Sequence, residues 1–147
     1  SVRLVVLVGL AIDQIAQSGL SSLSVIYYSA HLFSSGKSTP RNFSIELENC
    51  SFGTPVAKNK VQVTFTGMES AANNGLLGIT GTAKGASVAI TQADGKVIEL
   101  GVATKAQELQ SNNNSLTFAA YVQGDGDSAT ITEGEFQSVA SFNLAYN

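Results

Sequence analysis

The strongest constraint on the fold of this 147-residue chain is a period-2 alternation close to its C-terminal end. In the stretch FQSVASFNLAY, one set of alternate residues carries all of the aromatic side chains. Because successive side chains of a β-strand point to opposite faces, this pattern predicts a half-buried strand. Chain ends usually fray, so a strand this well patterned requires partners that hold it in place. The predicted inward row is Phe136, Ser138, Ala140, Phe142, Leu144 and Tyr146.

Alternation in several other stretches predicts further short strands. RNFSIELENC (41–50), KVQVTFTG (60–67) and SLTFAAYVQ (115–123) are typical of half-buried strands, and QSNNNS (110–115) of a polar loop. SVAITQADGKVIEL predicts a hairpin, because Asp94 and Gly95 can adopt the positive φ angles of a tight turn. About eight short strands joined by turns predict an all-β, antiparallel β-sandwich of immunoglobulin type.

The N-terminal stretch VRLVVLVGLAI (2–12) is predicted to be extended, but both of its alternate rows are apolar. Such a strand is either covered on both faces or weakly held in register, and it is an aggregation hazard when left bare. It is too short for a membrane helix, which needs about 20 apolar residues. The following residues predict only a short strand at 24–28 and a helical turn near 30–33.

The charge pattern disfavours nucleic acid as a partner. The net charge is −3, only 13% of the residues are charged, and no run of Lys or Arg is present. Proteins that bind nucleic acid present a basic patch to the phosphates, and this sequence offers none.

No motif predicts catalysis. A thiol nucleophile needs a base, and no pattern brings the only histidine, His31, near the only cysteine, Cys50. Cys50 is better interpreted as a small buried hydrophobic residue. The glycine-rich stretches GLLGITG and TGTAKG lack the pattern of a phosphate-binding loop. We therefore predict that the chain is not an enzyme and has no cofactor.

An acidic stretch before the last strand does not predict a metal site. A calcium loop needs ligands at alternating early positions and a bidentate acid near its twelfth position. The first two acids fit that spacing, the middle of the loop does not, and a solvated turn is the simpler interpretation. The acids are Asp125, Asp127, Glu133 and Glu135.

From about Lys37 to Asn147 the sequence resembles the pilins that bacteria assemble by the chaperone–usher pathway. FSIELENC, KVQVTFTG and LTFAAYVQ are similar to core strands of those proteins. TEGEFQSVASFNLAYN is similar to their C-terminal signature, which has a penultimate Tyr (Tyr146) and a Gly fourteen places from the end (Gly134). The last motif is the most specific of the four.

The resemblance implies an incomplete immunoglobulin-like sandwich that is completed by a donor strand. In this family the missing strand leaves a groove beside the terminal strand. A periplasmic chaperone fills the groove first, and at the outer-membrane usher the N-terminal extension of the next subunit replaces it. The resemblance therefore implies a donor extension at residues 1–12, a pilin domain at 13–147, and passage through the periplasm to an extracellular fimbrium.

The resemblance also assigns residues to the two partners of this exchange. The donor segment is expected to use Val5, Leu7, Gly9 and Ala11. The acceptor groove, with the surface that chaperone and usher recognise, is expected to use Gly134, Phe136, Ala140, Phe142, Leu144 and Tyr146.

The implied function is that of a structural subunit which polymerises into surface fibres for adhesion. The alternative is a surface module that binds a host-cell glycan or protein directly, with Tyr27 and Tyr28 as candidate rings for stacking on a sugar. Core packing is the simpler interpretation of those two rings.

The cysteine content departs from the family. Pilins of this type usually carry two cysteines, and Cys50 matches the second of them. The first is expected near Ala16, where no cysteine is present, so the disulfide partner of Cys50 is missing. Loss of a bridge that closes a loop of about 34 residues costs roughly 2–4 kcal/mol.

Overall fold

The structure, a computed structural model, describes residues 2–6, 14–16, 25–27, 37–38, 40–50, 52, 59–72, 74–126, 129–132 and 136–147. These ranges contain eleven strands and no helix, and accordingly no helix that could cross a membrane. The strands are β1 (Val2–Val6), β2 (Gln14–Ala16), β3 (Val25–Tyr27), β4 (Arg41–Cys50), β5 (Lys60–Gly67), β6 (Thr80–Gly81), β7 (Ala86–Gln92), β8 (Val97–Ile98), β9 (Gln107–Glu108), β10 (Asn112–Gly124) and β11 (Phe136–Tyr146).

The strands form two sheets. The first sheet has the order β1-β11-β5-β9, and β3 and β6 also pair with β11. The second sheet has the order β2-β4-β10-β7-β8. All of these pairings are antiparallel except that of β2 with β4, which is parallel. The predicted all-β sandwich is thus present. The described residues form eleven strands instead of about eight, and five of the eleven are only two or three residues long.

The core lies between the two sheets and is centred on four phenylalanines. Phe43 and Phe118 come from the second sheet, and their rings stack with centroids 5.6 Å apart. Phe65 of the first sheet meets Phe118 edge-on at 5.2 Å and lies 6.1 Å from the ring of Phe142. Edge-on and tilted pairs suit the quadrupole of an aromatic ring, so this cluster joins the sheets in one preferred arrangement.

A second, smaller cluster covers the outer face of the second sheet. It contains Leu76, Ala89 and Tyr121, all buried. In β7, Ala89 lies between Val88 and Ile90, which face the main core. Because neighbours along a strand face opposite ways, β7 is buried on both faces. The connection after β5 provides the cover, and Leu77 exchanges two backbone hydrogen bonds of 2.9 Å with Val88.

The terminal strand does not fray at its end. The N–H of Asn147 donates to the carbonyl oxygen of Lys60 at 2.8 Å, and the N–H of Lys60 donates to that of Asn147 at 3.1 Å. This closed pair fixes the last residue to the beginning of β5. The backbone of the chain end is therefore satisfied by protein rather than by water.

The predicted hairpin is present, but the form of its turn differs from the prediction. Gly95 has a positive φ of 89°, whereas Asp94 does not adopt one. Gln92 and Lys96 close a three-residue loop, in which the Lys96 N–H donates to the Asp94 side chain at 2.9 Å. That bond stabilises Asp94 in an ordinary turn conformation, so only the glycine takes the left-handed one.

The prediction of a polar loop at residues 110–115 was wrong for residues 112–115, which belong to β10. β10 begins at Asn112, which pairs with Cys50, and the register shifts between Asn112 and Asn114. Asn112 has a positive φ of 75°, a conformation that asparagine tolerates better than most residues. Pairing with the long strand β4 decides the structure here, and local polarity does not reveal that pairing.

Candidate functional site: the terminal strand and its two edges

The candidate site is β11, which pairs with strands along both of its edges. On one edge it follows β5, with Ala140 opposite Gly67, Phe142 opposite Phe65, and Tyr146 opposite Val61. β6 continues this strip with Gly81 opposite Phe136. The order of the first sheet places β1 on the other edge of β11.

The predicted inward row of β11 lies on one face, and its burial decreases toward the terminus. Phe136, Ala140 and Phe142 are buried, with Phe142 at 0% exposure. Leu144 is half-buried, and Tyr146 is 46% exposed. The structure thus brings these five groove candidates together, while the sixth, Gly134, lies outside the described residues.

Two residues that were not among the predicted groove residues help to hold this row of β11 in place. Ser138 lies in the same row and is buried, and its hydroxyl donates to the carbonyl oxygen of Gly78 at 2.9 Å. A Cβ on Gly67 would lie 2.7 Å from a methyl group of Leu77 and 2.9 Å from the carbonyl oxygen of Val139. The alternation predicted the position of Ser138, but no sequence signal indicated its bond or the close approach at Gly67.

The edge of β11 opposite β5 is covered by the N-terminal part of the same chain. β1 runs antiparallel to β11, with Val2 opposite Phe142, Leu4 opposite Ala140, and Val6 opposite Ser138. β3 continues along this edge from Val25, opposite Ser138, to Tyr27, opposite Phe136. An extended apolar segment therefore lies along the edge that the predicted groove would offer.

One of the four predicted donor residues falls in this pairing. Val5 is opposite Val139, which belongs to the outward row of β11, whereas Leu4 is opposite the inward residue Ala140. Leu7, Gly9 and Ala11 lie outside the described residues. Their role as donor residues stays a prediction.

Comparison with known proteins decides the family. The family model described as "Fimbrial protein" matches residues 25–147. The chain belongs to the fimbrial protein family. It is 55% identical to the Fimbria A protein of Serratia marcescens over 111 residues, which cover 76% of this chain and 62% of that protein. It is 47% identical to the Major MR/P fimbria protein of Proteus mirabilis, and the match covers 80% of this chain and 65% of that protein.

Solved structures of the fimbrial family confirm the predicted immunoglobulin-like sandwich. The P pilus rod subunit PapA has 31% identity and a TM-score of 0.66, with 76% of this chain and 81% of PapA covered. A protein from the structure of a chaperone-usher pilus has 32% identity and a TM-score of 0.65, and the match covers 78% of this chain and 73% of that one.

The fimbrial match does not cover the whole of either protein. The chain spans less than two thirds of the length of the two curated relatives above. The family model begins at residue 25, so it includes β3 to β11 and leaves out β1 and β2. The assignment of a donor segment to residues 1–12 thus depends on this chain's own residues.

Cys50 is a free, half-buried cysteine at the end of β4, packed against the main core. Burial, and secondly the nearby Cys50 thiol, raise the pKa of Tyr146. Parallel pairing puts Ala16 opposite Leu47, three residues before Cys50. That offset is about 10 Å along a strand, so a cysteine at the expected place near Ala16 would be too far away to bridge to Cys50.

The remaining candidates from the sequence gain no further support. His31 and Tyr28 lie outside the described residues, as do Asp127, Glu133 and Glu135. The Asp125 side chain accepts a hydrogen bond from the buried Ser87 hydroxyl, which ties the end of β10 to β7. The described residues contain no group of three or more His, Cys, Asp or Glu that could hold a metal ion.

Two cavities adjoin each other, one of about 240 Å³ and one of about 480 Å³. Both are lined by Gln92, Asp94, Thr104 and Lys105. No cysteine or histidine is among their lining residues.

Proposed function

We propose that this chain is a structural subunit of a bacterial fimbria, and that its subunits join by donor-strand exchange. The observation that carries the proposal is the geometry of β11. Its inward row is buried between the sheets, and the edge opposite β5 accepts an extended antiparallel segment. Relatives named as major fimbrial proteins and a pilus rod subunit support the same conclusion.

The physical reason for exchange is that β11 cannot stay bare on that edge. Without a neighbouring strand, alternate N–H and C=O groups of β11 lose their partners, and buried side chains such as Phe142 are uncovered. Unpaired backbone groups and exposed apolar surface both destabilise a folded chain in water. An extended segment supplies main-chain bonds and apolar side chains together, which is recognition by β-strand addition.

The size of the effect is sufficient for a stable fibre. Burying four or five apolar side chains contributes about 6–15 kcal/mol before the cost of ordering the segment. The main-chain hydrogen bonds add to this. Dissociation of such a strand is therefore slow, and a subunit without one aggregates.

The proposal includes the partners and the route that the fimbrial resemblance implies. A periplasmic chaperone would cover the β11 edge first, an outer-membrane usher would direct the exchange, and neighbouring subunits would then form the extracellular fimbrium. The role is structural and requires no catalytic group or cofactor.

Assembly on a gel tests this proposal. The full-length protein is concentrated, incubated for several days, and run in SDS without boiling. We expect a ladder of SDS-resistant bands that collapses on boiling. Removal of residues 1–12 should abolish the ladder, because the donor segment is lost. A ladder that persists after this deletion would falsify donor-strand exchange by this chain.

A matched pair of substitutions separates the groove from general surface effects. Phe142→Ala removes a buried ring from the inward row, whereas Asn143→Ala changes the exposed neighbour on the same strand. We expect the first variant to shorten the ladder and the second to leave it unchanged. Equal ladders from both variants would count against β11 as the acceptor.

A further inference from the structure

The connection that follows β5 contains the only Asn-Gly pair of the sequence, at Asn74 and Gly75. Glycine has no side chain to shield its backbone nitrogen, so that nitrogen can reach the side-chain carbon of the preceding asparagine. Asn74 is exposed, and Gly75 is half-buried with a φ of 77°. We propose that Asn74 is the site at which the folded chain deamidates spontaneously, and that the Glu69 carboxylate slows the reaction.

The reaction needs only water and has two steps. The Gly75 N–H loses its proton to solvent, and the nitrogen attacks Cγ of Asn74. The new bond to Cγ forms as the bond from Cγ to Nδ2 breaks, and Nδ2 leaves as ammonia after taking a proton from water. Water then opens the resulting cyclic imide and leaves aspartate or isoaspartate at position 74. No enzyme, oxidant or cofactor takes part.

Three hydrogen bonds hold the reacting groups in the unreacted arrangement. The Gly75 N–H, which must attack, donates to Glu69 Oε1 at 3.2 Å. The Asn74 nitrogen Nδ2, which must leave, donates to Ser87 Oγ at 3.3 Å. The Asn74 oxygen Oδ1 accepts from the Leu76 N–H at 3.1 Å. These bonds are long for N–H donors to oxygen, so they slow the reaction without preventing it.

The Glu69 carboxylate adds an electrostatic restraint to its hydrogen bond. Attack requires the Gly75 nitrogen to become negatively charged as it loses its proton, and a carboxylate that accepts from the same N–H opposes that charge. This hydrogen bond is exposed, so the two charges interact through water. At about 4 Å in water, such a repulsion changes a rate about fivefold.

The product does not fit the contacts that the amide makes. Ser87 is fully buried, and its hydroxyl donates to Asp125, so it has no second hydrogen for a new carboxylate at position 74. Deamidation removes the amide donor to Ser87 and adds a negative charge close to Glu69 and Asp125. We therefore expect the deamidated chain to unfold at a lower denaturant concentration than the parent chain.

Peptide mass spectrometry of the aged, folded, full-length protein tests the site. The protein is kept at neutral pH for several weeks and digested, and the mass increase that accompanies replacement of an amide by a carboxyl group is located by fragmentation. We expect this increase at Asn74 before any other asparagine, together with isoaspartate, and we expect Asn74→Gln to abolish it. Earlier conversion of another asparagine, or none at Asn74, would overturn the proposal.

A matched pair of charge substitutions tests the role of Glu69. Glu69→Gln keeps an oxygen acceptor for the Gly75 N–H but removes the charge, whereas Glu108→Gln makes the same change at an exposed position of β9. We expect the first variant to deamidate about fivefold faster than the wild type and the second to keep the wild-type rate. Equal rates for the two variants would contradict the restraint.

Salt provides a second measurement, which needs no substitution. An exposed charge is screened at an ionic strength of about 1 M, so the wild-type rate should rise toward that of Glu69→Gln. The rate of Glu69→Gln itself should change little. A wild-type rate that does not respond to salt would also overturn the role of Glu69. The outcome is independent of fibre formation, because the reaction takes place in the single folded chain.

Discussion

At the scale of single residues, Phe142 connects the core with both edges of β11. Its ring is fully buried and lies 6.1 Å from that of Phe65, and its backbone lies opposite Phe65 on one side and Val2 on the other. A residue in this position contributes to the folding of the domain as well as to the proposed acceptor groove.

Truncation of this ring should be strongly destabilising. We expect Phe142→Ala to lower the free energy of unfolding by about 3–5 kcal/mol, because it leaves a cavity between the sheets. Asn143→Ala, on the exposed face, should stay within about 0.5 kcal/mol of the wild type. Denaturant titration of the two variants measures both values, and a loss below 1 kcal/mol for Phe142→Ala would contradict this packing.

Two glycines with positive φ offer a matched test of close backbone approach. Gly85 has a φ of 84° and Gly101 has a φ of 79°. A Cβ on Gly85 would collide with the Thr130 carbonyl group, whereas a Cβ on Gly101 would meet nothing within 4 Å. The two alanine variants share the conformational strain, so their difference isolates the collision.

We expect Gly101→Ala to cost about 1 kcal/mol from strain alone. Gly85→Ala should cost a further 1–3 kcal/mol or so, because a backbone carbonyl cannot move aside as a flexible side chain would. Thermal or denaturant unfolding compares them directly. Similar stabilities for the two variants would show that the approach of Thr130 to Gly85 is not rigid.

The phenol of Tyr146 makes stability depend on pH in the alkaline range. Burial, and secondly the Cys50 thiol, raise its pKa above the ordinary value of 10.0, so the folded state holds the proton more tightly than the unfolded state. The associated stability is fully present below pH 10 and falls as pH rises through the folded pKa.

The comparison with Tyr146→Phe isolates this effect from other titrating groups. The difference in unfolding free energy between wild type and variant should be constant below about pH 9 and should turn against the wild type above about pH 10. A difference that stays flat up to about pH 11 would contradict the raised pKa.

At the scale of elements, β11 is the strand on which the first sheet depends, because β1, β3, β5 and β6 all pair with it. The closed pair between Asn147 and Lys60 also fixes the direction of its N–H groups. These directions alternate along a strand. The backbone N–H groups of Asn143 and Ala145 therefore point toward β5, while those of Phe142, Leu144 and Tyr146 point toward the edge that β1 occupies. The pairing with β1 ends at Phe142.

Amide hydrogen exchange should reveal this alternation. We expect slow exchange for Asn143 and Ala145, which are bonded to β5, and fast exchange for Leu144 and Tyr146, which lie beyond the β1 pairing. Phe142 should exchange slowly as long as β1 is in place. Residue-resolved NMR exchange measures these rates, and fast exchange at Phe142 in the full-length chain would show that β1 leaves readily.

The strands of this chain could be predicted from sequence where one face is buried and the other is not. RNFSIELENC and KVQVTFTG became β4 and β5 because their alternation records that asymmetry. The strand at 115–123 was predicted only from Ser115, since the polar residues 112–114 join β10 by pairing with β4. A partner distant in sequence overrides local polarity because a strand gains its hydrogen bonds from that partner.

At the scale of the whole molecule, the two ends of the chain lie side by side. β1 and β11 are adjacent in the first sheet, while β2 anchors the N-terminal part in the second sheet. The N-terminal part of the chain therefore contributes a strand to each of the two sheets.

The sequence by itself determined the all-β class, the inward row of β11, the hairpin of β7 and β8, and the absence of a cysteine partner for Cys50. These features depend on local periodicity and composition. Only the tertiary structure decided which strand covers each edge of β11, and that Leu4 rather than Val5 lies opposite Ala140. Over residues 2–12 both alternate rows are mainly apolar, so the sequence left the choice between them open. Within β1, Arg3 shares a row with Val5, and the other row, Val2, Leu4 and Val6, lies opposite the inward residues of β11.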